Sequence, residues 1–216
     1  MSCDPDVLIR HKLFKKRHRQ LLSPRNSFSR VRALLKYHYS FIAVNLYFAI
    51  DMLMNIKIAS ITLPDVPSFH LCLDIVAKER RFLALLEAPP LEEMRTFVSD
   101  NLARKVPQIV GKDNHRVIGW CDILPGWQHT LRHCGSLGMG ILPEYRGQGL
   151  GRSLLEACLA IATENGLTRV EFEARSDNEP ALRLYRKLGF QFEGTKKRGM
   201  RVDGEYKETT MMALLL

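Results

Sequence analysis

Residues 138–152, GMGILPEYRGQGLGR, contain the feature that decides the fold. An apolar segment runs into a short loop with Gly147, Gly149 and Gly151, and a helical pattern begins at Leu150. Glycine lets a backbone turn tightly and approach a bound group without side-chain obstruction. A helix start adds unpaired N–H donors and the positive end of the helix dipole. The stretch therefore predicts a phosphate-binding turn between a strand and a helix.

Three known phosphate motifs can be compared with this loop. The Walker motif GxxxxGK[ST] does not occur in the chain. The dinucleotide motif GxGxxG fails, because counting from Gly147 and Gly149 places Arg152 where the third glycine is required. The pattern R/Q-x-x-G-x-G/A is matched at every fixed position by Arg146, Gly149 and Gly151. This pattern is short, so its surroundings decide its meaning.

The surroundings predict a mixed α/β domain with strand–helix–strand units in its second half. Hydrophobic periodicity and capping signals indicate the elements. Strands are predicted at 56–61, 108–111, 116–124, 133–142, 169–175, 190–196 and 206–215, and helices at 65–81, 91–105, 150–165 and 178–188.

A second motif, NEPALRLYRKLGF at residues 178–190, follows the loop at a fixed separation. Together the two motifs resemble the GNAT superfamily of N-acetyltransferases, and the second one matches its segment N-x-x-A-x-x-x-Y-x-x-x-G-F. The resemblance covers residues 54–216 and is nearest in look to the phosphinothricin-type and ribosomal-protein alanine acetyltransferase branches. It implies a twisted, mostly antiparallel sheet with a central splayed parallel strand pair and about four flanking helices.

The resemblance also implies acetyl-CoA as co-substrate and no metal. The acceptor is expected to be a primary amine of a small molecule or amino acid, attacked directly in a ternary complex. A protein N-terminus or lysine as acceptor, and a non-catalytic CoA-binding module with a basic arm, remain alternatives; a homodimer is left open. The implied cofactor-binding residues are Met139, Gly140 and Ile141 for the pantetheine arm, Arg146, Gly147, Gln148, Gly149, Leu150 and Gly151 for the pyrophosphate, and Asn178 near the arm.

The resemblance makes Tyr185 the general acid, with its hydroxyl near the thioester sulfur. A phenol can protonate the departing thiolate. Tyr185 also lies on the apolar stripe of its predicted helix, so a core aromatic is the alternative.

The general base has three candidates. Many family members carry a glutamate on the strand before the loop, but residues 133–142 contain no carboxylate. Glu173 matches a glutamate five residues before the motif asparagine in the ribosomal-protein alanine acetyltransferase branch; a solvated or salt-bridged face is equally open. His133 is the second candidate, and a base acting through water is the third.

The scattered histidines and cysteines do not predict a metal site. His129 and His133 span a turn and a strand near Cys121 and Cys134, and no further spacing completes a zinc set. The chain has five cysteines without a CxxC motif. Such a set indicates free thiols in a reducing compartment, which predicts a cytoplasmic protein.

The basic charge is concentrated at the N-terminus. Residues 1–53 contain 10 Lys/Arg and 3 Asp/Glu, a net +7, whereas residues 54–216 contain 22 and 20, a net +2. Nucleic-acid binding is therefore not expected of residues 54–216. The apolar stretch 41–54 is too short to span a membrane, and Asn45 and Asp51 interrupt it. The segment 1–53 is interpreted as a mobile basic arm, a helix on anionic lipid, or sequence preceding a true start at Met52 or Met54; membrane contact is not the expected role.

We predict that residues 1–53 lie outside the catalytic fold and that residues 54–216 form the acetyltransferase domain. A truncated chain beginning at Met54 should fold and keep its turnover, because the charge excess and the irregular pattern end where the regular pattern begins. Circular dichroism and an acetyl-CoA turnover assay against the full chain measure this. An insoluble or inactive truncated chain would place residues 41–54 in the core.

Overall fold

The computed structural model of the protein describes residues 56–216. The predictions made for residues 1–53 lie outside this range. No helix within residues 56–216 is long and apolar enough to cross a membrane. The strands are β1 (Ile56–Ser60), β2 (Gln108–Asp113), β3 (Arg116–Pro125), β4 (Cys134–Ile141), β5 (Arg169–Arg175), β6 (Gln191–Val202) and β7 (Glu205–Leu215); the helices are α1 (Val66–Lys78), α2 (Leu91–Ala103), α3 (Leu150–Glu164) and α4 (Glu179–Lys187).

The strands form one sheet in the order β1-β2-β3-β4-β5-β7-β6. Every neighbouring pair is antiparallel except β4 and β5, which run parallel and are joined through α3. This confirms the predicted fold class, a mostly antiparallel mixed sheet with a parallel pair and flanking helices. The strand–helix–strand unit β4–α3–β5 carries the glycine loop at its first turn.

Helices cover both faces of the sheet, and the alternation of side chains along β3 shows which helix covers which face. Trp120 points to the α1 side, where its ring meets Phe69 with centroids 5.6 Å apart. Cys121 points to the other side, where the Cys158 thiol of α3 donates to its carbonyl oxygen at 3.5 Å. Because both faces of a central strand are buried, β3 reads as a nearly continuous apolar run in the sequence. We call these the α1 face and the α3 face.

Two boundaries differ from the predicted ones by more than two residues. Helix α1 ends at Lys78 rather than at residue 81, and Arg80 adopts a positive φ of 53°, which breaks the helical path. Strand β6 continues to Val202 instead of ending at Lys196, through a register shift between Lys196 and Met200. The exposed, basic residues of this strand hide the alternation that would have predicted its full length.

Candidate active site

The cleft forms where β4 and β5 separate. The two strands pair only through Cys134–Arg169, Gly135–Val170 and Ser136–Glu171. Beyond these pairs β4 stays with β3 as far as Ile141, and β5 stays with β7 as far as Arg175. The resulting cleft has a volume of about 1170 Å³. Typical small-molecule pockets measure about 300–1,000 Å³, so the cleft has room for a long ligand and a second small molecule.

Backbone groups of β4 face this gap. The Leu142 N–H donates to the Ile118 carbonyl of β3 at 2.9 Å. Because hydrogen-bonded residues alternate along an antiparallel strand, Gly140 also bonds to β3, whereas Met139 and Ile141 direct their N–H and C=O groups the other way. On that side β5 has already separated. Backbone groups of Met139 and Ile141 therefore face the gap, whereas those of Gly140 are used within the sheet.

The glycine loop presents N–H groups at the end of the same strand. Gly147 and Gly149 have φ angles of 74° and 88°, which favour glycine. The Gly149 carbonyl accepts the N–H groups of Arg152 at 3.0 Å and Ser153 at 3.2 Å, so Gly149 caps α3. Leu150 and Gly151 are the first helical residues, and their N–H groups have no preceding turn to bond. The loop thus has the donors and the dipole that a phosphate requires.

Gly151 serves packing as well. A Cβ atom there would lie 3.2 Å from Ile141 Cδ1 and 3.2 Å from Leu184 Cδ2. The missing side chain therefore lets α3, β4 and α4 approach one another closely, which also places α4 on the α3 face.

Two side chains of the loop, those of Arg146 and Gln148, make hydrogen bonds within the protein. Arg146 donates through Nε to the Ile141 carbonyl at 2.8 Å, forms a two-pronged ion pair with Glu79, and lies 5.5 Å from the Phe82 ring centroid. The Gln148 side-chain amide donates to the Glu144 carbonyl at 2.8 Å, which directs it toward the protein. Arg146 lines the cleft but is committed to a structural pair.

Tyr185 projects from α4 on the α3 face and is 6% exposed. Its ring packs on Phe172 of β5, with centroids 3.9 Å apart, and lies 5.6 Å from Phe190. Its pKa is raised, chiefly by burial, so the phenol stays protonated throughout the neutral range. Tyr185 and Asn178 both line the cleft. Asn178 is the N-cap of α4, and its side chain accepts a hydrogen bond from the Ala181 N–H at 3.4 Å.

Glu173 combines the two alternatives left open for it. It lies on β5 opposite the face of Phe172 and lines the cleft. Its carboxylate also accepts hydrogen bonds from Lys196 and from the Thr209 hydroxyl. Partial burial alone would raise its pKa, but these two hydrogen bonds outweigh burial and lower it. Glu173 is thus a paired, ionised group at the edge of the site.

His133 is not brought into the cleft. It is exposed, and it precedes β4 at the end where β4 and β5 are still paired. Its carbonyl accepts the N–H groups of Thr168 at 3.0 Å and Arg169 at 3.3 Å. The sequence assigned His133 to the strand before the loop, but the residue lies just outside β4, and the cleft opens at the opposite end of that strand.

Asp122 of β3 is a cleft residue that the sequence reasoning missed. It is 7% exposed, lines the cleft, and its pKa is raised to about 7 by burial. The predicted side-chain bases come from the strand before the loop and from β5, whereas this carboxylate comes from β3. One signal for it exists in the sequence, because Asp122 is the single acidic residue in the apolar run 117–124. Aspartate is rarely buried in a strand that is covered on both faces, so such a residue is a candidate for a functional role.

Within residues 56–216, no three His, Cys, Asp or Glu side chains are grouped so that they could hold a metal ion. The cysteines among these residues are unpaired thiols, and Cys72, Cys121 and Cys158 are buried. The cleft presents backbone donors, carboxylates and a phenol.

Known proteins are similar to about half of this sequence. A Bacillus subtilis protein named as a ribosomal-protein alanine N-acetyltransferase is 34% identical over 97 residues, which are 45% of this chain and 61% of that protein. An Escherichia coli protein named as an L-amino acid N-acetyltransferase is 27% identical over 110 residues, 50% of this chain and 67% of that protein. The chain thus spans less than two thirds of the length of the first of these relatives.

A solved structure gives the same result for the fold. An acetyltransferase of the GNAT family from Streptococcus pneumoniae superposes with a TM-score of 0.70 and 26% identity, over 74% of this chain and 99% of that chain. The sequence profile described as the acetyltransferase (GNAT) family matches residues 75–190, which is more than half of the chain. The protein belongs to the GNAT family of acetyltransferases.

Proposed function

We propose that the protein is an N-acetyltransferase that transfers the acetyl group of acetyl-CoA to the primary amine of a small molecule or amino acid by direct attack. One observation carries the proposal: the cleft that opens where β4 loses its β5 partner is lined by the glycine loop and by Tyr185. A single extended ligand with a phosphate end and a reactive end fits this sequence of groups.

Acetyl-CoA is proposed to bind with its pantetheine arm along Met139 and Ile141. The arm contains amides. These amides can make hydrogen bonds to β4 beyond Ser136, where β4 no longer pairs with β5. The pyrophosphate would then meet the N–H groups of the loop from Gly147 to Gly151. Arg152 on α3, and Arg183 and Lys187 on α4, line the same end of the cleft and add positive charge for the phosphates.

The acceptor end is apolar with a few carboxylates. The lining there comes from α1, α2 and the segment that joins them, and includes Phe69, Leu73, Phe82, Leu83, Met94 and Phe97. Asp122, Glu173 and Glu93 supply the negative charge. An amine is cationic before it reacts, so an apolar amine or amino acid suits this lining. The relative named for L-amino acids supports the same class of acceptor.

A protein N-terminus is the second candidate acceptor, because one relative is named for a ribosomal-protein alanine. An ion pair between Arg80 and Asp203 weighs against it. Arg80 follows α1 and Asp203 lies in the turn between β6 and β7, and their neighbours Arg81 and Met200 line the cleft. The pair therefore connects two walls of the acceptor end, which leaves less room for an extended peptide than for a small molecule.

Tyr185 is proposed to protonate the departing sulfur. The pKa of a free phenol is about 10 and that of a free thiol about 8.5. Burial raises the pKa of Tyr185 further, so a long-lived tyrosinate is unfavourable in this site. Tyr185 should therefore donate its hydrogen bond as the carbon–sulfur bond breaks and recover a proton in the same event. This role makes the rate insensitive to the tyrosine's own ionisation up to pH 10.

The proposal is tested by incubating the full chain with acetyl-CoA and a panel of amines, amino acids and short peptides while CoA release is measured. Acetylation of apolar amines or amino acids, in preference to peptides, is expected. Preference for peptide N-termini would show that the acceptor is a protein N-terminus rather than a small amine or amino acid. Tight acetyl-CoA binding without acetylation of any amine would favour a non-catalytic CoA-binding module.

Tyr185→Phe keeps the ring on Phe172 and removes only the hydroxyl. Turnover should fall by about 10²–10⁴-fold, the usual contribution of general acid catalysis. Steady-state kinetics and calorimetry on the same preparation measure it, with acetyl-CoA affinity and thermal stability nearly unchanged. Equal turnover of the two proteins between pH 6 and 9 would make Tyr185 a packing residue only.

Gly149→Glu tests the phosphate loop, with Gly166→Glu as its matched control. The two glycines flank the same helix, have φ angles of 88° and 81°, and would each point a Cβ atom into open space. The backbone strain of each substitution should therefore be similar, about 1–2 kcal/mol. Only Gly149→Glu puts bulk and negative charge at the loop, so it alone should raise the Kd for acetyl-CoA by at least about tenfold, or about 1.4 kcal/mol. Equal affinities of the two variants by calorimetry would remove the loop from the binding site.

A further inference from the structure

We propose that the Asp122 carboxylate is the general base that removes the proton from the acceptor ammonium group. This inference rests on the proposed acetyl transfer. The general base would then come from β3, whereas the sequence analysis named candidates before the loop and on β5.

Two glycines give Asp122 access to the cleft. Trp120 and Asp122 lie on the α1 face of β3, opposite Gly140 and Gly138 of β4. A Cβ atom on Gly138 would lie 2.7 Å from Asp122 Oδ1, and one on Gly140 would lie 2.3 Å from the Trp120 ring. The β4 segment therefore contributes no side chain on this face. The carboxylate of Asp122 takes that space beside the gap where the reactive end of acetyl-CoA is proposed to lie.

Gln108 supplies the second observation. It is the register partner of Asp122 on β2 and is 3% exposed. The neighbouring pair is hydrogen-bonded, through the Ile123 N–H and the Pro107 carbonyl at 2.9 Å, so Gln108 and Asp122 form a non-hydrogen-bonded pair, in which side chains approach most closely. Gln108 Oε1 accepts from Asn101 Nδ2 at 3.1 Å. Gln108 Nε2 is the buried side-chain atom within residues 56–216 that has no hydrogen-bond partner. Nε2 therefore makes no hydrogen bond to Asp122, and burial is left as the cause of the raised pKa of this carboxylate.

The charges around Asp122 suit a base at neutral pH. The α1 side chains that line the cleft are the apolar Phe69, Leu73 and Val76, and β4 contributes glycines. The charged cleft groups on the other elements are Glu93 of α2, Arg81 after α1, Glu173 of β5, Arg146 before α3, Arg152 of α3, and Arg183 and Lys187 of α4. Arg146 is paired with Glu79, and Tyr185 on α4 is neutral.

Asp122 and Glu173 therefore differ as bases. Burial without a salt-bridge partner raises the pKa of Asp122 to about 7. The pKa of Glu173 is lowered by its hydrogen bonds from Lys196 and Thr209, although burial acts in the opposite direction. When two carboxyl groups have different pKa values because their environments differ, the carboxylate of the group with the higher pKa is the better base.

The protons balance in the proposed step. Asp122 accepts one proton from the ammonium group and later releases it to water. The amine nitrogen then forms a bond to the acetyl carbon, and the carbon–sulfur bond breaks with its electron pair on sulfur. Tyr185 donates a proton to that sulfur. The proton that nitrogen loses as the amide forms returns to Tyr185 through solvent, so the net products are the amide, CoA thiol and one proton.

The test compares Asp122→Asn with the wild-type protein, using the best amine of the panel. Wild-type kcat/KM should rise with pH through an inflection near 7, the pKa of Asp122. Asp122→Asn should lose this inflection and turn over about 10²–10⁴-fold more slowly at pH 7. The difference should narrow as pH approaches the pKa of the free amine. Acetyl-CoA affinity should stay within about twofold, since the phosphate loop is untouched.

Two further variants decide between rivals. Glu173→Gln should leave the inflection near pH 7 in place, and Asp100→Asn, an exposed residue of α2 outside the cleft, should behave as wild type. Loss of the inflection in Glu173→Gln but not in Asp122→Asn would overturn the proposal in favour of Glu173. A wild-type protein that acetylates no amine would contradict the proposed function itself, and this inference with it.

Thermal denaturation gives a readout independent of turnover. The unfolded pKa of aspartate is about 3.9, below the folded value of about 7. The folded state therefore binds the extra proton, so the stability that Asp122 contributes is complete below pH 4 and is lost as pH rises to 7. The Tm of the wild type relative to Asp122→Asn should fall over this window. A constant difference between the two Tm values from pH 4 to 8 would show that Asp122 keeps an ordinary pKa and would overturn the proposal.

Discussion

The separation of β4 from β5 after three residue pairs is the constraint on which the site depends. A parallel pair must be joined by a crossover, here α3, and ligands in open α/β sheets bind beyond the carboxyl ends of such strands. The glycine loop lies at that end of β4 because α3 begins there. The same separation leaves the backbone groups of Met139 and the Ile141 N–H without a strand partner, while the Ile141 carbonyl accepts from Arg146. One break in strand pairing thus supplies the opening, the backbone donors and the position of the helix dipole.

The break also connects the two faces of the sheet. Tyr185, the loop and α4 lie on the α3 face, whereas Asp122 and Glu173 lie on the α1 face. A thioester held in the gap would have its sulfur near the phenol and its carbonyl carbon open to the other face. An amine from the α1 side would then meet the carboxylates first. The proposed acid and base are therefore separated by the sheet itself, which keeps them from exchanging a proton directly.

The sequence predicted most of the fold and about half of the proposed chemistry. The elements around 138–190 were predicted closely, because the local signals there (glycine stop, strict alternation, proline in a first helical turn) all agree. Those signals also placed Tyr185 and the loop. They mark Asp122 only as an acidic residue inside an apolar run, because the space it occupies comes from Gly138 across the strand pair, a contact that no local pattern contains. They admitted His133 because alternation tells which strand a residue is on but not which end of that strand opens.

The glycines of residues 138–151 show why a short motif can be read too simply. They form a continuous pattern in the sequence, and all of them look like ligand contacts. In the structure they do three different things. Gly147 and Gly149 have positive φ angles and turn the loop, Gly151 lets helices pack, and Gly138 and Gly140 leave space for side chains of β3. Only the first pair requires glycine for its backbone conformation. For Gly138 and Gly140 the requirement comes from Asp122 and Trp120, so a substitution at either glycine disturbs the α1 face of the cleft before it disturbs the phosphate loop. The glycines of this stretch therefore report on both halves of the site, and their spacing reflects the cross-strand register as much as any bound phosphate.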